Sequence, residues 1–459
     1  MASGKRVNVT EVIDKSRLGR FQWVIFVLCG LSLIMDGYNV QIMGYVAPVL
    51  RADWNISQAV LGSVFSTALF GVLFGSLLSG VIADKVGRRP VLVTATLYFA
   101  VFSLLTGLAT SVPALLWFRF LSGLGLGAIM PNAMSLVGEY SPARLRVMVM
   151  MVVSCGLTAG GVVVGFVAAW IIPAFGWRAV FFVGAAIPFV VGLLMLFWLP
   201  ESPQFLAIRG NRPSQLGRLL QRLEPGVPTG SGVDYVVHEQ KKQGVPVVHL
   251  FHEGRGPTTL MFWVLNFMNL LNLYLLSSWI PTVVHGIPAF AGDPKRAGTM
   301  AVLVGTTLQI GGLLGSFGNA WFIGKIGFMR ALAGCFAVAC ISIACIGQPG
   351  LPLVLLFAVV FVAGWCIVGG QPGINTLAGI YYPTYLRSTG IGWGLGIGRI
   401  GAVVGPLIVG ELLRRHWPTQ DVFYIAAVPA AISVITMFGL RKMESTPAVV
   451  ESGREALVH

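Results

Sequence analysis

Twelve stretches of about twenty apolar residues run through this chain, each long enough to cross roughly 30 Å of hydrocarbon as a helix. Their approximate limits are 21–47, 58–83, 91–110, 113–138, 148–172, 178–198, 258–281, 298–323, 331–348, 351–378, 388–411 and 421–440. In hydrocarbon every backbone polar group needs a partner inside its own segment, so such runs fold as transmembrane helices. A mean hydropathy of +0.81 with 10% charged residues excludes an ordinary soluble protein. The 58 glycines fit the same class, because small residues let membrane helices approach closely.

The runs are interrupted once, over 199–257, by a polar linker with the Gly/Pro-rich stretch EPGVPTGSGV and a short amphipathic helix expected over Pro213–Leu223. The chain therefore divides into an N-terminal tail (1–20), a six-helix half (21–198), the linker (199–257), a second six-helix half (258–440) and a tail (441–459). The net charge of +14 raises the question of nucleic acid, but the basic residues form no patch of their own and no nucleic-acid partner is implied. They fall in loops. With the first end cytoplasmic, that side receives Lys5, Arg6, Lys15, Arg17, Arg20, Lys85, Arg88, Arg89, Arg144 and Arg146, the linker's basic residues, and Lys325, Arg330, Arg387, Arg441, Lys442 and Arg454. The opposite side holds only Arg51, Arg178, Lys295, Arg296, Arg414 and Arg415, so both termini and the linker are expected in the cytoplasm. The first run follows a polar, basic segment and lacks a small-residue cleavage site, which marks it as a retained span.

The two halves resemble each other. Gly138–Arg146 reads GEYSPARLR, and Gly379–Arg387 reads GIYYPTYLR; Asp84-Lys85-Val86-Gly87 has a counterpart in Gly324-Lys325-Ile326-Gly327. Corresponding loops in two six-helix halves mark an internal repeat, and parallel repeats place a substrate near mid-membrane. The six cysteines all lie in apolar runs without a C-x-x-C pair, so no metal, cofactor or disulfide framework is implied.

One acid stands halfway along the first run, Asp36 in LIMDGYNVQIMGYVAP. A carboxylate at that depth costs roughly 2.5–3.5 kcal/mol, so it faces a bundle interior or watery cavity, either as a proton or ion site or as the partner of a structural arginine. Gly37 permits close helix approach or a local break. The six histidines lie in loops or the tail, and Glu139 and Glu411 sit at helix ends, leaving Asp36 as the one carboxylate near mid-depth. Burial alone disfavours its charge while a nearby arginine favours it, so alternation between the two would couple proton loading to transport.

The second loop, GVIADKVGRRP, fits G-x-x-x-D-[RK]-x-G-R-R through Gly80, Asp84, Lys85, Gly87, Arg88 and Arg89, and resembles the signature loop of the major facilitator superfamily. The resemblance implies an all-α membrane protein with twelve transmembrane helices in two pseudo-symmetric six-helix halves, the major facilitator fold. It also implies a gating latch: Asp84 toward a helix N-terminus of the other half, and Arg88 paired with an acid at the end of the fourth helix, for which Glu139 is placed. Arg119 resembles the superfamily's fourth-helix arginine, with snorkelling to the interface as the plainer alternative. Pro200-Glu201-Ser202-Pro203, followed by Gln204, resembles the PESPR string of sugar porters and several organic-acid transporters.

DGYNVQIMGYVAP resembles the DGFD-x-x-x-x-GFIAP pattern of the aromatic acid:proton symporter family, and LGLGAIMPNAMSLVGEYSP and QPGINTLAGIYYPTYLRSTGIGWGLGIGRIGAVVGP are similar to the same family. That resemblance implies a transporter, not an enzyme, importing benzoate or hydroxybenzoate-like acids with protons as a monomer in the bacterial inner membrane. Asn39 stands where the family has a second Asp, which shifts coupling onto Asp36 or weakens it. For the substrate carboxylate the chain offers Arg399 in the eleventh run, where a guanidinium can hold it bidentately, with pairing to a helix C-terminus or to Asp36 as the plainer alternative. Asn266, Asn269 and Asn272 in the seventh run are three apart and share roughly one face. Gln371 and Asn375 in the tenth lie beside Pro372 and Gly373, where unwinding is expected. These amides either address a ring hydroxyl or act as interhelical glue. Tyr45, Trp279, Tyr381 and Trp393 either stack on a ring or anchor at the interface. Two rival functions remain: proton-antiport efflux on the same fold, and uptake of a muconate- or phthalate-like acid. A non-transporting receptor for an aromatic acid is a third.

Overall fold

The computed structural model describes residues 5–210, 213–228, 233–236, 247–285, 293–382 and 386–444. Parts of the linker, residues 383–385 of the second repeat string and the tail beyond 444 lie outside them. In chain order the elements are β1 (Lys5–Asn8), α1 (Val9–Lys15), α2 (Arg20–Trp54), α3 (Gln58–Val86), α4 (Arg88–Gly107), α5 (Val112–Tyr140), α6 (Ala143–Phe175), α7 (Trp177–Trp198), α8 (Pro203–Arg209), α9 (Pro213–Leu223), β2 (Val233–Val236), α10 (Gly256–His285), α11 (Pro294–Ile326), α12 (Phe328–Ile346), α13 (Leu353–Ile367), α14 (Gln371–Tyr381), α15 (Arg387–Arg414) and α16 (Thr419–Glu444). Among the described residues these segments make twelve spans long and apolar enough to cross a bilayer, with α13 and α14 together making the tenth. Most extend beyond the apolar runs, because the hydropathy pattern records only the hydrocarbon part while capping carries helices into the interface. Ser111 caps α5 through Ala114 N–H at 3.4 Å, and Asp293 caps α11 through Lys295 and Arg296 N–H at 3.1 and 3.0 Å.

The repeat is visible in the backbone. α4 and α12 each begin after a glycine in the left-handed half of conformational space, Gly87 at φ 105° and Gly327 at φ 82°. An L side chain rarely adopts that geometry, which accounts for the shared glycine.

Two compact units form: 1–40, 70–161 and 178–241 in the first, and 41–69, 162–177 and 242–459 in the second. These do not coincide with the halves 21–198 and 258–440. Close contacts tie 41–69 and 162–177 to the rest of the second unit. A Cβ on Gly44 would lie 2.5 Å from Ser277 O, and one on Gly165 would lie 2.0 Å from Thr306 Oγ1. Ser66 donates to Val403 O at 2.6 Å.

In the first unit the core runs from Leu33, Phe99, Ile129 and Tyr140 to Leu206 of α8 and Leu220 of α9. The segment before the first span is ordered on this core rather than being a simple tail. β1 pairs in parallel with β2, Lys5 opposite Val233 through Asn8 opposite Val236. Asn8 caps α1, Asp14 pairs with Arg146 at 2.5 Å, and Gln22 donates to Tyr140 O at 3.0 Å. α9 spans Pro213–Leu223 and buries Leu216, Leu219, Leu220 and Leu223. All six cysteines are free thiols.

Candidate functional site

Asp36 lies sixteen residues into α2, about 24 Å along the helix, and is 6% exposed. Gly37 is a point of close approach and not a break: a Cβ there would lie 1.8 Å from Leu157 O of α6. One turn beyond Asp36, Asn39 is fully buried and hydrogen-bonded throughout. Its amide nitrogen donates to Gly184 O at 3.0 Å and Met35 O at 3.3 Å, and its oxygen accepts from Ser103 Oγ at 2.9 Å. An ionised carboxylate could make neither donation. Arg119 is 2% exposed and donates to Asn39 O at 3.3 Å. It therefore reaches α2 near Asp36 instead of snorkelling outward.

At the other end of the same unit, the second loop is built into a polar cluster. Arg88 forms an ion pair with Glu139, which also accepts from Ser202 Oγ. Glu201 Oε1 accepts backbone N–H bonds from Arg88, Arg89 and Ser202 at 3.0, 3.2 and 2.8 Å, so a carboxylate occupies the N-terminus of α4. A Cβ on Gly87 would lie 2.3 Å from Glu201 Oε2, a second reason for glycine there. Tyr140 donates to Glu201 O at 2.6 Å. Asp84 is exposed near the end of α3, and Gly80 is exposed with open space around its Cα.

In the second unit, α10 and α14 share an amide cluster with Gln371 at its hub. Asn269 Nδ2 donates to Gln371 Oε1 at 2.7 Å, and Gln371 Nε2 donates to Asn266 Oδ1 at 3.0 Å and Asn375 Oδ1 at 3.2 Å. The expected unwinding sits a turn earlier than Pro372–Gly373, at Val368–Gly370. Pro372 has no N–H for Val368 O; Gln371 N–H turns to that carbonyl at 3.4 Å, and Gly369 N–H reaches back to Gly364 O at 3.1 Å. Ile367 O, left without its usual partner, accepts from Asn269 Nδ2 at 3.2 Å. Asn269 Oδ1 is buried with no hydrogen-bond partner among the described residues. Arg399 is half-buried on α15, next to Gly398, whose added Cβ would lie 3.0 Å from Asn266 O.

Four sequence-selected residues do not join this cluster. Six residues advance a helix by about 600°, so Asn272 diverges from Asn266; its amide meets α16 instead, donating to Ala426 O at 2.8 Å and accepting from Ala430 N–H at 3.3 Å. Trp279 is 1% exposed, packs edge-on against Phe65 and donates its indole N–H to Pro406 O at 3.0 Å, which makes it a packing residue. Tyr45 packs against Pro281 and Gly305, twelve residues or about 18 Å along α10 from Asn269. It lines a separate cavity of ≈ 340 Å³ with His285 and Lys295. Trp393 is 46% exposed and stacked on Trp263 at 6.0 Å. Tyr381 packs against Phe262, one turn from Asn266, with ring centroids 5.6 Å apart.

A family model described as Major Facilitator Superfamily matches residues 29–406. The chain belongs to that superfamily. It is 38% identical over 440 residues to the 4-hydroxybenzoate transporter PcaK of Pseudomonas putida, covering 94% of this chain and 95% of the relative. It is 36% identical to the gallate transporter of Pseudomonas putida over 96% of this chain and 97% of that one. Among solved structures, the xylose transporter XylE from E. coli in a partially occluded inward-open conformation superposes with a TM-score of 0.71 at 16% identity, covering 91% of this chain and 99% of that one. Within the major facilitator superfamily the chain thus falls among aromatic-acid transporters, and it is not an enzyme.

Two parts of this major facilitator site carry weak sequence signals. The string around Glu201 was legible as a resemblance, but that its carboxylate caps α4 follows only from tertiary contact. Ser103 and Gly184, which hold Asn39, carry no pattern at all.

Proposed function

We propose that this major facilitator protein imports an aromatic carboxylate of the benzoate or hydroxybenzoate kind together with protons, by alternating access, as a monomer in the bacterial inner membrane. The observation that carries the reading is the 36–38% identity, over nearly the whole chain, to named 4-hydroxybenzoate and gallate transporters. The chemistry of the second unit suits such a substrate. Arg399 supplies a cation for the carboxylate, and Asn266, Asn269, Gln371 and Asn375 form an amide cluster with an unused buried acceptor, Asn269 Oδ1, for a ring hydroxyl. Tyr381 adds an aromatic wall one turn away.

Asp36 carries the coupling proton in this reading, with Arg119 as the cation that governs its charge. Asn39 is structural, so the missing second carboxylate is not replaced at that position. The cluster of Gly87, Arg88, Arg89, Glu139 and Glu201 acts as the gating latch, with Asp84 as its exposed acid. An even number of spans and the bias of Lys and Arg support cytoplasmic termini.

The test is uptake of radiolabelled benzoate, 4-hydroxybenzoate, gallate, phthalate and muconate into cells expressing the protein, with and without a protonophore, beside Asp36→Asn and Arg399→Ala. Accumulation of a ring acid that the protonophore and both substitutions abolish is the expected result. Full uptake by Asp36→Asn removes the coupling role. Accumulation of none of these acids overturns import and leaves efflux.

A further inference from the structure

The geometry points to a binding site for the phosphate of an anionic phospholipid headgroup, in a groove of the first unit lined by Arg89, Arg218 and Arg222. The groove encloses ≈ 260 Å³. Its walls come from the first residues of α2 (Phe21) and α4 (Arg89), the segment just past α7 (Glu201), and α9 (Arg218, Leu219 and Arg222). α2, α4 and α7 are membrane spans, and all three end here. The groove therefore lies where hydrocarbon gives way to headgroups.

The side chains suit a phosphodiester. α9 buries its leucines and leaves Arg218 and Arg222 exposed, the disposition of a helix lying along a membrane surface. The Arg222 guanidinium carbon lies over the Phe21 ring, 5.6 Å from its centroid. Arg89 donates to Leu196 O at 2.6 Å, and its Nε is buried with no hydrogen-bond partner among the described residues. Arg218 makes one long bond from Nε, to Ser214 O at 3.3 Å. Among the described residues no carboxylate is ion-paired with any of the three. Glu201, the acid lining the groove, has Oε1 already shared by three backbone N–H groups. Three guanidinium groups thus line the groove beside one committed carboxylate, a surplus that a phosphate would satisfy bidentately. A soluble phosphate would meet the same guanidinium groups, but the glycerol and acyl carbons of a lipid would also meet Phe21 and Leu219, on the groove's apolar side.

The experiment is native mass spectrometry of the purified full-length protein in neutral detergent. It is titrated in parallel with phosphatidylglycerol, phosphatidylcholine, inorganic phosphate and glycerol 3-phosphate. Phosphatidylglycerol is expected to bind at least about tenfold tighter than phosphatidylcholine. The double variant Arg218→Gln/Arg222→Gln is expected to lose roughly thirty-fold of that affinity, about fivefold per arginine. Arg218→Lys/Arg222→Lys, which keeps the charge and the fold of α9, should retain most of it. A control, Arg414→Gln/Arg415→Gln, removes two arginines that already pair with Glu411 and should change nothing. Equal binding of the two lipids, an unchanged preference in the Gln variant, or an equal loss in the control would overturn the site. Saturation by inorganic phosphate or glycerol 3-phosphate at the lipid's own concentrations would overturn the lipid assignment.

Discussion

Replacing Gln371 by leucine separates a cluster that reads the substrate from one that only ties helices together. Leucine fills a similar volume and removes three hydrogen bonds: one accepted from Asn269 at 2.7 Å, and two donated to Asn266 at 3.0 Å and Asn375 at 3.2 Å. Asn269 keeps a partner for its amide nitrogen in Ile367 O at 3.2 Å. Asn375 is half-buried, so water can replace its lost bond. Asn266, 2% exposed, is the residue left with a stranded oxygen, which costs about 1–3 kcal/mol. A twelve-helix protein survives that loss. The functional cost is separate. If Asn269 Oδ1 meets a ring hydroxyl as proposed, losing the hub releases that amide, and one lost hydrogen bond of about 1–1.5 kcal/mol raises KM roughly five- to twelvefold. The assay is initial-rate uptake of radiolabelled 4-hydroxybenzoate and benzoate across a concentration range, with thermal unfolding in detergent as the check on folding. KM for 4-hydroxybenzoate should rise by that factor while KM for benzoate moves less than about twofold. An equal rise for both acids, or none for either, would refute the reasoning.

Three further substitutions probe other parts of the molecule. Glu201→Gln removes the charge at the start of α4 and should lower the unfolding temperature, at a cost of about 2 kcal/mol, without altering KM; an unchanged melting curve would show that the charge holds nothing there. Gly37→Val drives a side chain into the Leu157 carbonyl, where the backbone has no room to yield; about 3 kcal/mol or more of overpacking should abolish monodisperse elution on size-exclusion chromatography, and a normal profile would contradict the close approach of α2 and α6. Asn39→Leu strands Gly184 O and Ser103 Oγ and should cost about 2–4 kcal/mol while leaving the pH dependence of uptake intact; loss of that dependence would place residue 39 in the proton path.

What the sequence determined by itself is local in origin. Twelve spans follow from twenty-residue apolar runs, the helix Pro213–Leu223 from its leucine spacing, and the paired turns at Gly87 and Gly327 from a residue that tolerates their φ angles. The pairing of Arg88 with Glu139 follows only from the resemblance of the second loop to the superfamily's signature, because the two residues meet through the fold. The tertiary structure alone decided which polar side chains meet. A membrane helix is apolar on every side, so its sequence carries no phase to say which face meets a neighbour. That is why Asn269 and Asn272, equivalent on paper, go to different helices, and why Tyr45, Trp279 and Trp393 lie apart from the amides they were grouped with. Three other features also have no local signal. The turn at Val368–Gly370 depends on the carbonyl that Asn269 takes up, and the pairing of β1 with β2 joins segments from opposite ends of the first unit. The capping of α4 by Glu201 likewise needs the end of α7 brought against a loop over a hundred residues earlier, which only the folded chain can do.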